Sequence, residues 1–228
     1  MNPLDFFKQF MGPDDLVFDV GANIGEMTEI FAQLSHRVIA FEPVMESYTA
    51  LCDKFCQNQR VALDCAALGA EEGFLTVATS KDAPTIGVAS MSPGWIDAVS
   101  RSGRFGANHR TKSENVSVTT LDRCIRRFGL PAFIKIDVEG YEPEVLAGLS
   151  QPVKALSFEF TPEQCGKAAQ CVGYCEGLGM TKFNLSLMQE YQLGEWVTAN
   201  EICDRLSGIK GNVIYGDVYA RSYASRSQ

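Results

Sequence analysis

The sequence has little histidine, and its cysteines do not form the C-x-x-C spacing. Only two of its 228 residues are histidine, His36 and His109, and its eight cysteines include no C-x-x-C pair. Structural zinc sites are built from such pairs together with histidines. The sequence therefore contains no recognisable zinc-binding pattern, and most of the cysteines are expected to be small buried apolar residues.

A long uninterrupted apolar stretch is also absent, although 46% of the residues are hydrophobic. A transmembrane helix needs about 20 consecutive, mainly apolar residues, so none is predicted and no membrane partner is expected. The first residues, MNPLDFFKQFMGPDD, lack the basic patch, apolar core and cleavage site of a signal peptide. Together with cysteines that are taken to be reduced, this predicts a cytoplasmic protein.

The chain also has fewer positively charged than negatively charged residues. The chain has 20 lysines and arginines against 28 aspartates and glutamates, which gives a net charge of −8. A nucleic acid would be repelled by such a protein at long range. We therefore expect a small-molecule substrate and no nucleic-acid partner, whereas the sequence leaves the oligomeric state open.

Strand-like and helix-like segments alternate along most of the chain. Examples are the strand-like LVFDV followed by the helix-like EMTEIFAQLS, and RVIAFEP followed by MESYTALCDKFCQN. This alternation is typical of an α/β fold with a mostly parallel, doubly wound sheet that has helices on both faces. We predict one domain over residues 1–228, with an irregular insertion at about residues 80–115.

The predicted insertion is rich in serine, glycine, proline and asparagine, and it is too long for a routine connection. It is either a lid that contacts the substrate or a mobile surface segment. His109 is a candidate base if the loop closes over a site, and otherwise an exposed histidine. Aromatic and cationic residues of the insertion that could contact a substrate, or equally pack or face solvent, are Trp95, Phe105, Arg101, Arg104, Arg110 and Lys112.

The segment VFDVGANIGEMTEIF, residues 17–31, has the pattern of a strand, a glycine-containing turn and a helix. Ligands of parallel α/β sheets bind beyond the carboxyl ends of the strands, where this turn lies. The turn reads G-x-x-x-G and lacks the G-x-G-x-x-G of dinucleotide sites. Asp19 and Glu26 flank it, and two carboxylates would repel a pyrophosphate. S-adenosylmethionine carries a sulfonium and an ammonium group, so it fits this turn better.

Glu42 ends the second predicted strand, 17 residues after Gly25. A carboxylate at this place in a nucleotide-binding sheet can accept hydrogen bonds from both hydroxyls of an adenosine ribose. A tight turn followed by an ordinary exposed carboxylate before a proline is the alternative interpretation of the same two features.

A second group of acids follows the strand-like FIKI. Asp137 and Glu139 come at its end, and Glu159 ends the neighbouring strand-like segment LSFEF. If strand geometry continues, alternation places Asp137 and Glu139 on one face. These three acids are candidates for the base that takes a proton from an acceptor hydroxyl. Alternatively, Asp137 only holds the cofactor and Glu139 caps a helix; carboxylates could also hold Mg²⁺, but nothing in the sequence demands a metal, and we predict none.

Five motifs in this order, DVGANIG, AFEP, TTLD, IKIDVEGYEPEVLAG and SFEF, resemble the FkbM family of S-adenosylmethionine-dependent methyltransferases. The resemblance runs from about residue 16 to residue 160. It implies a Rossmann-like, seven-stranded sheet with an antiparallel last strand. It also implies methyl transfer to oxygen, often to a hydroxyl of a sugar or a natural-product scaffold.

The resemblance also implies roles for individual residues. Glu42, with Pro43 beside it, would hold the ribose, and Ala67 and Leu68 of the AALG turn would lie against the adenine. Family members commonly carry an acid just after this turn, where this chain has Ala70. The residues implied to cradle the methionine part of the cofactor are Asp19, Gly21, Ala22, Asn23 and Gly25, with Asp137 beside them.

Two other functions are compatible with the same sheet. One is a nucleotide-cofactor oxidoreductase of the NAD type, which the absent G-x-G-x-x-G and the position of Glu26 disfavour. The other is a binding module that holds the cofactor without catalysing transfer, because fold alone does not establish function.

Overall fold

The structure is a computed structural model that describes residues 1–80, 89–90, 111–209 and 215–222. Helices and strands alternate over most of these ranges, as the sequence predicts, but three strands follow one another within residues 61–80. A single 3₁₀ turn, Pro162–Gln164, precedes the sixth helix. The helices are α1 (Pro3–Phe7), α2 (Glu26–Leu34), α3 (Met45–Phe55), α4 (Leu121–Phe128), α5 (Glu142–Ala147), α6 (Cys165–Gly177) and α7 (Ala199–Gly208).

The strands of the described ranges belong to two sheets. They are β1 (Leu16–Val20), β2 (Arg37–Phe41), β3 (Val61–Asp64), β4 (Ala67–Leu68), β5 (Gly73–Ser80), β6 (Ala89–Ser90), β7 (Thr111–Thr119), β8 (Phe133–Ile136), β9 (Ala155–Phe160), β10 (Met180–Leu187) and β11 (Gly216–Ser222).

The main sheet has seven strands in the order β10–β11–β9–β8–β1–β2–β3. Its strands from β9 to β3 pair in parallel, and β11 is antiparallel to both of its neighbours, β9 and β10. The strand order reverses between β1 and β8, so their carboxyl ends form the switch point at which α/β sheets bind ligands. The prediction of a mostly parallel, seven-stranded sheet with an antiparallel last strand is confirmed.

A second, four-stranded sheet has the order β4–β7–β5–β6. The segment VALDCAALG, whose sequence predicts a strand that runs into a turn, instead supplies one strand to each sheet, since residues 61–64 pair with β2 and residues 67–68 pair with β7. Residues 111–115, at the end of the predicted irregular insertion, belong to strand β7. Residues 81–88 and 91–110 lie outside the described residues, so the insertion remains a prediction.

An aromatic cluster packs against one face of the main sheet. Phe6, Phe7 and Phe10 of the amino-terminal segment are all at most 3% exposed. The Phe10 ring stacks on Phe133 of β8 and on Tyr219 of β11, with both centroid distances 5.2 Å. These large apolar side chains cover the amino-terminal half of the central strands. Polar side chains occupy the same face nearer to the carboxyl ends of the strands.

The cysteines are less uniformly buried than the sequence suggests. All eight lie in the described ranges and are free thiols, but only Cys124, Cys171 and Cys175 are buried and Cys56 is exposed. Among the helices of the described residues, none is both long and apolar enough to cross a membrane.

Candidate functional site

The glycine loop, residues 21–25, connects β1 to α2 through three residues in left-handed backbone conformations. Gly21, Asn23 and Gly25 have φ angles of 82°, 50° and 81°. Glycine adopts such conformations without steric cost, and asparagine tolerates them better than most residues. A Cβ atom on Gly25 would lie 2.5 Å from the Phe55 ring, so this glycine allows helix α3 to pack against the loop.

Asp19 lies beneath the glycine loop and is 1% exposed. The Thr28 hydroxyl of α2 donates a hydrogen bond of 2.5 Å to its Oδ2 atom. Burial raises the pKa of Asp19, although the Lys135 ammonium and this hydrogen bond oppose the shift. The carboxyl therefore joins β1 to α2 and places an acidic group at the base of the loop.

Glu42 connects the end of β2 to the glycine loop. Its Oε2 atom accepts a hydrogen bond from the Asn23 backbone N–H, and its Oε1 atom accepts one from the Val44 N–H, both at 2.9 Å. The side chain is 6% exposed. Burial raises the pKa of Glu42 to about 7 against the effect of these two hydrogen bonds. Glu42 thus lies beside the loop, as the sequence predicts, and helps to fix its backbone.

Asp137, Glu139 and Glu159, which we call the acid cluster, converge at the carboxyl ends of β8 and β9. Each offers a carboxylate oxygen, and these oxygens lie within 4.8 Å of one another. Burial, followed by the charges of Asp137 and Glu139, raises the pKa of Glu159 well above its usual range. The expected proximity of the three acids is confirmed.

The reason for this proximity differs from the expectation. Strand β8 ends at Ile136, and Glu139 has a φ angle of 54°, followed by Gly140 at 90°. The predicted strand alternation therefore does not continue through Glu139. A left-handed turn brings the two carboxylates of this segment together instead.

Lys135 supplies the positive charge beside the acid cluster. Its Nζ atom lies 2.6 Å from Asp137 Oδ2, and the residue is 7% exposed. Burial alone would lower the pKa of Lys135, but the carboxylates of Asp137, Asp217 and Asp19 together raise it above its ordinary value. One ammonium group therefore balances part of the negative charge contributed by β1, β8 and β11.

A cleft with a volume of ≈ 410 Å³ opens beside these groups. Residues of α1, α2 and the glycine loop line it, together with residues at the ends of β8, β9 and β11 and in the segment after β10. Its lining residues are Phe7, Asp19, Gly21, Ala22, Asn23, Ile24, Glu26, Met27, Ile30, Lys135, Asp137, Glu159, Gln189, Tyr191, Tyr215, Asp217 and Tyr219.

Most of the residues predicted for the methionine part of the cofactor thus line one cleft, but Gly25 does not. Glu139 is absent from the lining as well, although its carboxylate lies close to two that line the cleft. Among the residues predicted for ribose and adenine, Pro43 is half-buried, and Ala67 and Leu68 are buried in β4. These three residues do not line the cleft.

Lys135 and Asp217 are the charged cleft residues that the sequence analysis missed. Lys135 is two residues before Asp137 in FIKID, so the period of two in a strand could have identified it. Asp217 faces Glu159 through the pairing of β11 with β9, and no local pattern reveals that pairing. Partial burial raises the pKa of Asp217 to about 6, against the effect of Lys135.

The acid cluster has the spacing of a divalent-cation site. However, an ammonium group already lies 2.6 Å from Asp137, where a cation would have to bind. The absence of a metal therefore remains our prediction. Other candidates of the sequence analysis, His109 and the residues Trp95, Arg101, Arg104, Phe105 and Arg110, lie outside the described residues, and Lys112 lies in β7.

Comparison with protein families identifies the family of this chain. The model of the methyltransferase FkbM domain matches residues 19–189, from the glycine loop through the acid cluster to the end of β10. The chain belongs to the FkbM methyltransferase family. This membership confirms the resemblance found in the motifs and supports S-adenosylmethionine as the cofactor.

A curated relative is the 31-O-demethyl-FK506 methyltransferase FkbM of Streptomyces tacrolimicus. It is 35% identical over 163 residues, which are 60% of this chain and 60% of the relative. The chain therefore spans about 60% of the length of this relative.

Two solved structures show the same fold at low sequence identity. The methyltransferase FkbM of Methylobacillus flagellatus KT is 13% identical, with a TM-score of 0.52 over 95% of this chain and 50% of that one. The precorrin 8w decarboxylase of Methanobacterium thermoautotrophicum is 12% identical, with a TM-score of 0.50 over 96% of this chain and 89% of that one.

Proposed function

We propose that this protein transfers a methyl group from S-adenosylmethionine to a hydroxyl oxygen of a small molecule such as a sugar or a natural product. The observation that carries the proposal is the convergence of three carboxylates beside a cleft that the glycine loop also lines. The Streptomyces relative is named as a methyltransferase of 31-O-demethyl-FK506. This name supports an oxygen acceptor here.

The cleft suits the methionine part of this cofactor. Asp19, Glu26 and Asp137 place negative charge around the glycine loop, and the cofactor carries a sulfonium and an ammonium group. Gly21 has no side chain, so the loop backbone comes directly against Asp137. We assign these residues, with Ala22 and Asn23, to the methionine part.

The adenosine part is assigned to the neighbouring edge of the sheet. Glu42 is fixed beside the glycine loop by two backbone N–H groups, and each carboxylate oxygen has a second lone pair for a ribose hydroxyl. Pro43 is next to Glu42, and Ala67 and Leu68 lie in the strand that follows β3. These apolar residues are proposed to face the adenine.

The cofactor, when bound, supplies an electrophilic methyl group on a positively charged sulfur. The protein then has two tasks, which are to orient the acceptor oxygen and to take its proton. The acid cluster is proposed to perform the second task as one unit. Burial, followed by the charges of Asp137 and Glu139, raises the pKa of Glu159, so Glu159 accepts a proton more readily than an isolated carboxylate would.

Calorimetry with S-adenosylmethionine, its demethylated product S-adenosylhomocysteine and NAD tests the cofactor assignment. We expect binding of the first two and no binding of NAD. Transfer of an isotopically labelled methyl group to a panel of hydroxyl and amine acceptors, with and without EDTA, then tests the reaction. Transfer to amines alone would contradict the oxygen acceptor, and loss of activity with EDTA would contradict the prediction of no metal.

Conservative substitutions separate binding from proton transfer. A general base contributes about 10²–10⁴-fold to a rate. We therefore expect kcat to fall by about 100-fold or more in Glu139→Gln and Glu159→Gln, with S-adenosylhomocysteine affinity nearly unchanged. Asp137→Asn should weaken both affinity and kcat because this residue is also assigned to the methionine part of the cofactor. If cofactor binding persists without transfer to any acceptor, the chain is a binding module and the proposal fails.

A further inference from the structure

Glu142 is a buried carboxylate that the proposed reaction does not use. It is the first residue of α5 and is 4% exposed. Burial raises its pKa to about 7, although backbone N–H groups stabilise the charged form. A buried carboxyl group is costly unless hydrogen bonds compensate it, so its partners indicate what it does.

Those partners lie on both sides of Glu139. The Val138 N–H donates to Glu142 Oε1 at 3.1 Å, and the Gly140 N–H donates to the same oxygen at 3.0 Å. Backbone N–H groups that converge in a turn form a concave anion-binding nest. Here the anion in the nest is a side chain of the same segment, two residues after the turn.

The turn formed by residues 138–140 has a backbone conformation that needs the hydrogen bonds to Glu142. Glu139 has a φ angle of 54°, a conformation that non-glycine residues adopt at an energetic cost, and Gly140 follows at 90°. Such conformations persist when the surrounding structure fixes them. The Lys167 ammonium of α6 also donates a hydrogen bond to the Gly140 carbonyl oxygen, so the turn is held from its N–H side and from its carbonyl side.

Asp137 is held by different contacts. Its backbone N–H donates to the Val20 carbonyl oxygen at 2.9 Å, and its side chain is bound to Lys135. Loss of the Glu142 oxygen would therefore remove the N–H-side support of the turn that carries Glu139 and leave these contacts of Asp137 in place. Because Asp137 and Glu139 are held by different contacts, substitution of Glu142 should affect Glu139 and not Asp137.

We propose that Glu142 is a positioning residue, which holds the Val138–Gly140 turn in its left-handed form and thereby keeps the Glu139 carboxylate against Asp137 and Glu159. The catalytic part of this inference rests on the proposed function, in which Glu139 belongs to the base. The structural part, that Glu142 orders the turn, holds whatever the acceptor is.

Hydrogen–deuterium exchange of the protein without ligands tests the structural part. In Glu142→Ala we expect the Val138 and Gly140 amides to exchange at least about tenfold faster, because their acceptor is gone. In Glu142→Gln the amide oxygen can still accept both hydrogen bonds, so exchange should remain within about threefold of the parent protein. Equal protection in all three proteins would overturn the inference. If the alanine variant does not fold, Glu142→Asp, whose oxygen is withdrawn by one methylene, replaces it.

Kinetics test the catalytic part. A displacement of about 1 Å in a positioned group can cost about 100-fold in rate, so we expect kcat of Glu142→Ala to fall by about that factor. Binding of S-adenosylhomocysteine should stay within about threefold, because Asp137 and the glycine loop keep their contacts. Glu142→Gln should restore most of kcat. Equal losses in both variants, or equal losses in affinity and kcat, would contradict a positioning role.

The pH dependence of kcat supplies a further readout. The groups that face Glu159 are Asp137, Glu139, Lys135, Asp217 and Tyr215. Displacement of the Glu139 charge removes one contribution that raises the Glu159 pKa. The acidic limb of the profile should therefore move to lower pH in Glu142→Ala and should not move in Glu142→Gln. An unmoved limb in the alanine variant would contradict the inference.

Glu139→Gln separates the inference from the proposed function. If kcat falls in Glu139→Gln but not in Glu142→Ala, only the role of Glu142 is wrong. If kcat is unchanged in Glu139→Gln while exchange in Glu142→Ala still shows an opened turn, Glu142 orders the turn, but Glu139 is not part of the base.

Discussion

Gly21 packs directly against the backbone of Asp137. A Cβ atom on Gly21 would overlap the carbonyl oxygen of Asp137 and come within 3.3 Å of the Val138 side chain. The position that a Gly21 side chain would take is occupied by the segment that carries the acid cluster, so the glycine loop and the cluster share one contact.

Gly21→Ala should therefore separate these two parts of the site. We expect the substitution to lower the free energy of unfolding by about 3 kcal/mol, since it adds an overlap to a positive φ angle. It should also abolish S-adenosylhomocysteine binding, measured by calorimetry. Gly173→Ala is the control, because this helical glycine has open space around it and alanine there should stabilise the protein by about 0.5–1 kcal/mol. Normal binding by Gly21→Ala would refute the packing argument.

Lys135→Met should be strongly destabilising. It removes the ammonium group next to Asp137 and near Asp19 and Asp217, which leaves carboxylates without their counterion. Removal of one partner of a buried pair costs about 3 kcal/mol, measured by chemical denaturation. The exposed pair of Lys8 with Asp5 provides a matched control, because Lys8→Met should cost at most about 1 kcal/mol. A similarly small decrease in the free energy of unfolding in both variants would show that the charge of Lys135 is not needed for stability.

Asp217 should make the protein less stable as the pH rises. Its pKa is about 6 in the folded protein against 3.8 as its ordinary value, so the folded state binds its proton more tightly. Its contribution to the free energy of unfolding therefore falls as the pH rises from about 4 to 6.

Asp217→Asn removes this dependence. We expect the unfolding free energy of the variant to vary less between pH 4 and pH 6, and its advantage over the parent protein to reach about 1 kcal/mol at pH 7, after allowance for partial exposure. Urea denaturation at several pH values measures both. Asp14→Asn, at an exposed position, should leave the pH dependence unchanged. A parent-like slope in Asp217→Asn would contradict the effect of burial.

Glu42→Ala tests the ribose assignment. Hydrogen bonds to a charged group contribute about 1.5–3 kcal/mol, so we expect S-adenosylhomocysteine affinity to fall by about 10–100-fold in calorimetry. Glu46→Ala, an exposed acid of the first turn of α3, should bind like the parent protein. Equal affinity in Glu42→Ala and Glu46→Ala would remove Glu42 from the cofactor site.

The sequence was sufficient where a feature depends on neighbouring residues. Asp19, Gly21 and Asn23, which line the cleft, were candidates because a strand, a turn and a helix follow one another within 15 residues. Asp137 and Glu159 were found because each ends an apolar strand, and the carboxyl ends of parallel strands meet at one edge.

Features that depend on distant pairing were not predictable. Asp217 and Tyr215 reach the cleft through the pairing of β11 with β9, which depends on the register of strands far apart in the chain. Glu139 was placed near Asp137 for the wrong reason, because the left-handed turn is stabilised by Glu142 and Lys167 rather than by strand geometry. The second sheet escaped prediction because a short strand such as β4 carries too few residues for a periodic signal.

The placement of β11 between β9 and β10 has a consequence for biosynthesis. On the ribosome, β9 and β10 emerge before the strand that must lie between them. Until residue 222 has been synthesised, the inner edges of both strands lack their hydrogen-bonding neighbour, and exposed edges invite aggregation. Strand β11 is thus an interior strand although both of its neighbours precede it in the chain, so a nascent chain that stalls before β11 leaves β10 unpaired from the rest of the main sheet.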